Sequence, residues 1–126
     1  MGKVLFLIDA CNVLLSEGKK CSLKVGLRKI KSVLMRKKWL LENGNSVQIV
    51  IDNNHRKGFA VIKELCFDSV ELVWTYKNKK TGIIYKADDY IIDNVFSERY
   101  EKESQFSLIC IVSNDLALRK NIAIPR

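Results

Sequence analysis

The stretch Lys3-Val-Leu-Phe-Leu-Ile-Asp9-Ala-Cys-Asn12 decides the fold. Five apolar residues, Val4 to Ile8, stand between a lysine and an aspartate. A run of this length without polar alternation reads as a strand buried on both faces, in the middle of a parallel sheet. An ionised carboxylate at the end of such a strand is costly unless something compensates it. Three further stretches repeat the pattern of apolar run, then acid. Gln48-Ile-Val-Ile51 ends in Asp52, Leu108-Ile-Cys-Ile-Val112 ends in Ser113-Asn114-Asp115, and Ile83-Ile-Tyr-Lys-Ala87 leads into Asp88-Asp89. In open α/β sheets ligands bind outside the carboxyl ends of the strands, so these acids are expected to converge on one place. Carboxylates sharing a cleft repel one another and call for a cation. The expectation is a divalent metal site.

Outward from this strand, Leu14 to Cys21 reads as a loop, and Ser22 is a suitable N-cap for a helix to about Leu41. Leu23, Leu27, Ile30, Leu34 and Leu41 give that helix one apolar stripe. Asn43-Gly-Asn-Ser46 ends it, and a strand follows from Val47 to Ile51. After the loop 52–58 the pattern predicts a short helix over 59–67, a strand over 70–75 and a basic loop over 76–82. A helix from Ala87 to Glu101 and a strand from Ser107 to Val112 come next, then a short helix over 116–120 and a last strand over 121–125. Strands alternating with helices predict one α/β domain over residues 1–126, with right-handed crossovers covering both faces of the sheet.

At 126 residues the chain is long enough for one real core. No apolar stretch approaches the roughly 18 residues of a membrane span, and the first apolar run is too short for a signal-peptide core. Cys11, Cys21, Cys66 and Cys110 show no zinc-site spacing and read as reduced cysteines of a cytoplasmic protein. The net charge of +8 is concentrated: nine Lys or Arg residues fall between Lys19 and Lys38 with no acid among them. Lys77, Lys79, Lys80 and Lys86 form a second group. Such clusters are the electrostatic footprint of a polyanion partner, most simply nucleic acid, against the plainer reading of a solvated face. The chain has no Gly-x-x-x-x-Gly-Lys run, which excludes a P-loop nucleotidase. A haloacid-dehalogenase-like phosphatase wants a second aspartate where Cys11 stands.

A hard cation such as Mg²⁺ or Mn²⁺ suits an all-oxygen set of acids at one sheet edge, and there it activates water against a phosphodiester. Ile8-Asp-Ala-Cys-Asn-Val13, Ile51-Asp52, Ala87-Asp-Asp-Tyr-Ile91 and Ile111-Val-Ser-Asn-Asp115, in this order, resemble the NYN branch of the PIN-like nucleases. That branch includes the YacP-type and Regnase-type ribonucleases. The resemblance spans nearly the whole chain. It implies a three-layer α/β/α sandwich around a central, mostly parallel sheet of about five strands, and metal-dependent endoribonuclease activity.

On that resemblance Asp9, Asp88 and Asp115 would hold Mg or Mn, with Asp89 and Asp52 assisting. Asn12 would orient the ligands, and Ser113 and Asn114 would support them. The RNA backbone would lie on Lys24, Arg28, Lys31, Arg56, Lys57, Lys79, Lys80 and Lys86. Its partner would be RNA in single-stranded or loop regions, free, on the ribosome or presented by another protein. A further acid that the family often carries beyond the last aspartate is absent from Leu116-Ala-Leu-Arg-Lys120. A binding module with a decayed PIN-like site is the competing reading. His55 and Asp93 read as surface residues, while Tyr76, Tyr85 and Tyr90 fit either base stacking or packing.

Overall fold

The computed structural model describes residues 3–11, 23–53, 55–100 and 106–113. The elements are β1 (Lys3–Asp9), α1 (Leu23–Arg36), a 3-10 segment (Lys38–Gly44), β2 (Ser46–Ile51), β3 (Lys57–Gly58), β4 (Ile62–Phe67), β5 (Val70–Trp74), β6 (Tyr76–Asn78), β7 (Ile84–Tyr85), α2 (Ala87–Tyr100) and β8 (Phe106–Val112). The expected elements over 116–120 and 121–125, and the N-cap Ser22, lie outside the described residues.

The main sheet has five strands in the order β4-β5-β2-β1-β8. β1 runs parallel to β2 and β8, and β2 runs parallel to β5, but β4 is antiparallel to β5. The sheet is therefore mixed, which corrects the expectation of a mostly parallel one. The antiparallel strand comes from the segment predicted to be helical. Phe59, Val61, Ile62 and Leu65 mimic helical spacing, yet Asp68 adopts φ 47° in a two-residue turn that folds β4 back onto β5. The hydroxyl of Ser69 secures the turn by donating to the Asn45 carbonyl at 2.8 Å. Pairing along β5 outweighs a helix that would have no partner for its apolar face.

Side chains alternate along each strand, and this parity sorts the core into two halves. Leu5, Leu7, Val50 and Val73 pack on Ala87, Tyr90, Ile91 and Val95 of α2. Ile8, Val47, Ile49, Ile51, Val70 and Leu72 pack against Leu34 of α1, with Leu27 and Ile30 beside them. Among the described residues, α2 thus packs on one face and α1 on the other. The α2 side also holds a buried polar chain, in which the Tyr90 hydroxyl donates to Gln48 Oε1 at 2.9 Å and Gln48 Nε2 donates to Glu71 Oε1 at 3.4 Å. Tyr90 is a core residue, not a base-stacking one.

The first helix is shorter than expected. The Lys37 N–H is shared between the carbonyls of Val33 (3.1 Å) and Leu34 (3.2 Å), and the chain tightens into the 3-10 segment. Trp39 in this segment is 62% exposed and belongs to neither core half. Asn43 (φ 61°) and Gly44 (φ 80°) then reverse the chain, and a Cβ on Gly44 would come within 2.9 Å of Lys3 Cε. Asn45 ties this end together, its side chain accepting from the Val4 N–H (2.9 Å) and donating to the Leu40 carbonyl (3.0 Å). The small second sheet, β3-β6-β7, pairs β3 and β6 in parallel and β6 and β7 antiparallel. In β3 and β6, residues expected to be loop thus form short strands beyond the carboxyl edge of the main sheet. Among the described residues no helix is long and apolar enough to cross a membrane.

Replacing Tyr90 by Phe strands the buried Gln48 oxygen. Chemical denaturation should show a loss of about 1–3 kcal/mol; an unchanged midpoint would mean that the polar chain contributes nothing.

Candidate functional site

The strand order places a topological switch at β1. From β1 the chain builds outward through β2 and β5, and later returns to add β8 on the other side of β1. The crevice outside the carboxyl ends of β1 and β8 is where such sheets bind ligands. Asp9 is the last residue of β1 and is only 5% exposed. Ser113 follows β8, is equally buried, and its hydroxyl lies 3.5 Å from Asp9 Oδ2. Ala10 and Cys11 already take helical backbone, so the acid sits on a strand-to-helix transition.

Parity brings the other groups to the same side. Asp9, Asp52, Thr75 and Ser113 each follow an apolar strand run at a position in phase with the residues that face α2. Thr75 is fully buried, and its Oγ1 accepts from the Asn53 N–H at 2.9 Å. Asp52 Oδ1 accepts from the Ala87 N–H at 2.7 Å. This bond caps α2 from a different strand and docks the helix start on the carboxyl edge of the sheet. Asp88 and Asp89 occupy the first turn of α2 and are half-buried. Asp89 Oδ2 accepts from the Lys86 N–H at 3.0 Å, and the Asp89 N–H donates to Asp88 Oδ1 at 3.0 Å. The helix start favours these acids through its partial positive charge.

Burial pushes the Cys11 thiol above its ordinary range, and the nearby Asp52 and Asp9 carboxylates push it further. Asp9, Cys11 and Asp52 are therefore neighbours. With no metal bound, burial and these carboxylates therefore favour the protonated thiol. Among the described residues no three His, Cys, Asp or Glu side chains form a group able to hold a metal ion. Asn12, Asn114 and Asp115, three of the residues assigned from sequence, lie outside the described residues. The donors that are described at the crevice are hard oxygen atoms, which fits Mg²⁺ or Mn²⁺ better than a softer ion.

The basic residues divide into two places. Lys57 on β3 and Lys77 on β6 are register partners and so share a face of the small sheet. Lys79 and Lys80 are exposed at the β6–β7 turn, where Asn78 Oδ1 accepts from the N–H groups of Lys80 (2.9 Å) and Thr81 (3.0 Å). Lys86 is exposed just before α2. Arg56 has a structural role beside the one assigned from sequence. Its Nη2 donates to the carbonyls of Ala60 (2.7 Å) and Trp74 (3.4 Å), and its guanidinium lies 5.8 Å from the Tyr76 ring centre. Arg56 clamps the loop through Nη2. Tyr76 and Tyr85 pack on each other at 5.3 Å, and the Tyr85 hydroxyl donates to Asp93 of α2. That bond, after burial, raises the Tyr85 phenol above its ordinary range and fastens the small sheet to the α2 side. His55 is exposed. Lys24, Arg28 and Lys31 lie on α1, across the sheet from this side.

Thr75 and Cys11 were not assigned to the site from sequence. The signal for Thr75 was available, because it is the first polar residue after an apolar strand run, as are Asp9, Asp52 and Ser113. Comparison with known protein families, curated proteins and solved structures finds no match to this chain.

If Asp52 acts by capping, Asp52→Asn keeps an acceptor and most of the stability, whereas Asp52→Ala loses about 1 kcal/mol in denaturant titration. Equal losses would remove the cap from the account. In chelator-treated protein at about pH 8, Cys11 should alkylate more slowly folded than unfolded; equal rates would contradict its raised proton affinity.

Proposed function

We propose that this protein is a cytoplasmic, metal-dependent endoribonuclease of the PIN-like type. The observation that carries the reading is the buried Asp9 carboxylate at the topological switch point, backed by Ser113, on the sheet side that receives the acid-bearing start of α2. Asp9 and Asp88 would hold Mg²⁺ or Mn²⁺, with Asp115 as the third ligand that the sequence resemblance assigns. A bound divalent cation supplies charge neutralisation at a phosphate and an ionised water at neutral pH. The protein's own residues do the rest. Ser113 hydrogen-bonds Asp9 and fixes its orientation, and Asp52 keeps the start of α2 against the sheet edge. Asp89, tied to the Lys86 N–H, limits the freedom of that first turn. Lys57, Lys77, Lys79 and Lys80 line a basic strip on the sheet that extends the same edge, suited to a single-stranded phosphate backbone.

The decayed-module reading keeps one supporting observation: an oxygen of Asp52 is committed to the α2 cap. Labelled single-stranded and hairpin RNAs, incubated with Mn²⁺ or Mg²⁺, separate the two. The nuclease reading predicts cleavage that EDTA abolishes and that Asp9→Asn and Asp88→Asn each reduce by at least about a hundredfold, as expected for removal of charge at the reacting centre. RNA binding without cleavage, unchanged by these variants, would establish the module instead.

A further inference from the structure

The outer face of α1 presents cations with nothing on the helix to neutralise them. α1 contains no Asp or Glu, and Lys24, Arg28, Lys29 and Arg36 are all exposed, while Leu34 is buried and Leu27 and Ile30 pack against the sheet. Lys24, Arg28, Ser32 and Arg36 recur every four residues and so form one stripe of hydrogen-bond donors, roughly 18 Å long. Like charges one turn apart destabilise an isolated helix, so this arrangement favours an anionic partner.

The position of the stripe separates it from the candidate site. Asp9, Asp52, Ser113 and the basic small sheet belong to the side of the main sheet that faces α2, and α1 covers the opposite side. Yet the two are not remote. Because β1 and β2 are parallel, α1 starts near the carboxyl edge that bears Asp9 and runs back along the sheet toward the start of β2. Lys24 lies at the site end of the helix and Arg36 at the far end.

We infer that the α1 stripe is a second nucleic-acid surface, one that grips the phosphate backbone of an RNA duplex while the single-stranded part of the same molecule crosses the small sheet. The stripe contains charged and hydroxyl donors and no aromatic residue, which suits phosphates and gives bases nothing to stack on. Duplex RNA is held in this way, by backbone and shape. A membrane fits less well, since the apolar face that would enter lipid is spent on the core. The preferred substrate class is accordingly a duplex with an adjoining single strand. This inference rests on the proposed function only for the ligand class, and binding rather than cleavage tests it.

The experiment uses fluorescence anisotropy with the full chain, in EDTA, over a salt series. The probes are a single strand of about 8 nucleotides, a duplex of about 16 base pairs, and the two joined. The variant Lys24→Ala/Arg28→Ala/Lys29→Ala/Arg36→Ala should bind the short strand as the wild type does. For the duplex and the joined probe, its slope of log affinity against log salt should fall by about 3. A variant with alanine at Lys57, Lys77, Lys79 and Lys80 should show the reverse preference. Equal weakening on all probes, or none, overturns the second surface, as does pelleting with anionic phosphatidylserine vesicles without duplex binding. Circular dichroism confirms that both variants fold. Loss of nuclease activity in a parallel assay would sink the catalytic reading without touching this one.

Discussion

Burying the Asp9 carboxylate at the end of the central strand is the constraint on which the remaining arrangement depends. An ionised group at 5% exposure is tolerated only where dipoles, hydrogen bonds or a counter-charge replace its water. The Ser113 hydroxyl on the neighbouring strand is one such partner. The fold also places Cys11 and Asp52 close by, and neither offers a positive charge. Carboxylates gathered around a buried carboxylate raise its cost unless a cation is shared among them. Under the proposed function, a divalent ion would be shared among these carboxylates.

Two features fix where the second set of acids lies. Strand parity puts Asp52 and Thr75 in phase with Asp9, on the side that α2 covers. The bond from the Ala87 N–H to Asp52 then fixes where α2 begins, and with it the position of Asp88 and Asp89. The same helix buries Ile91 and Val95 under β1 and β2, so core packing and site assembly are one structural event. The small sheet is coupled to α2 through Tyr85 and Asp93.

Much of this was legible in the sequence. Continuous apolar runs identified β1, β2, β5 and β8, and the stripe from Leu27 to Leu34 identified α1. Asp9 and Asp52 were placed correctly at strand ends, and Asp88 and Asp89 at the start of α2. What failed was local pattern where tertiary pairing decides. The segment 59–67 has helix-like spacing, but a left-handed Asp68 and the free edge of β5 make it a strand. β3, β6 and β7 are too short, at two or three residues, to leave a periodicity. The loop-clamping role of Arg56 was not legible, because composition cannot reveal that its Nη2 donates to two carbonyls. The separation of α1 from the acid side, likewise, is a property of parity across the sheet and not of charge along the chain.

The most direct test of the central claim is paramagnetic broadening of the backbone amide resonances by Mn²⁺, recorded at substoichiometric metal. The account predicts that signals of Asp9, Cys11, Asp88 and Ser113 vanish first, and that Asp9→Asn abolishes the effect. Broadening centred elsewhere, for instance on Glu64 and Asp68, or none at all, would mean that the buried carboxylate is compensated by the protein alone and that the crevice is not a metal site.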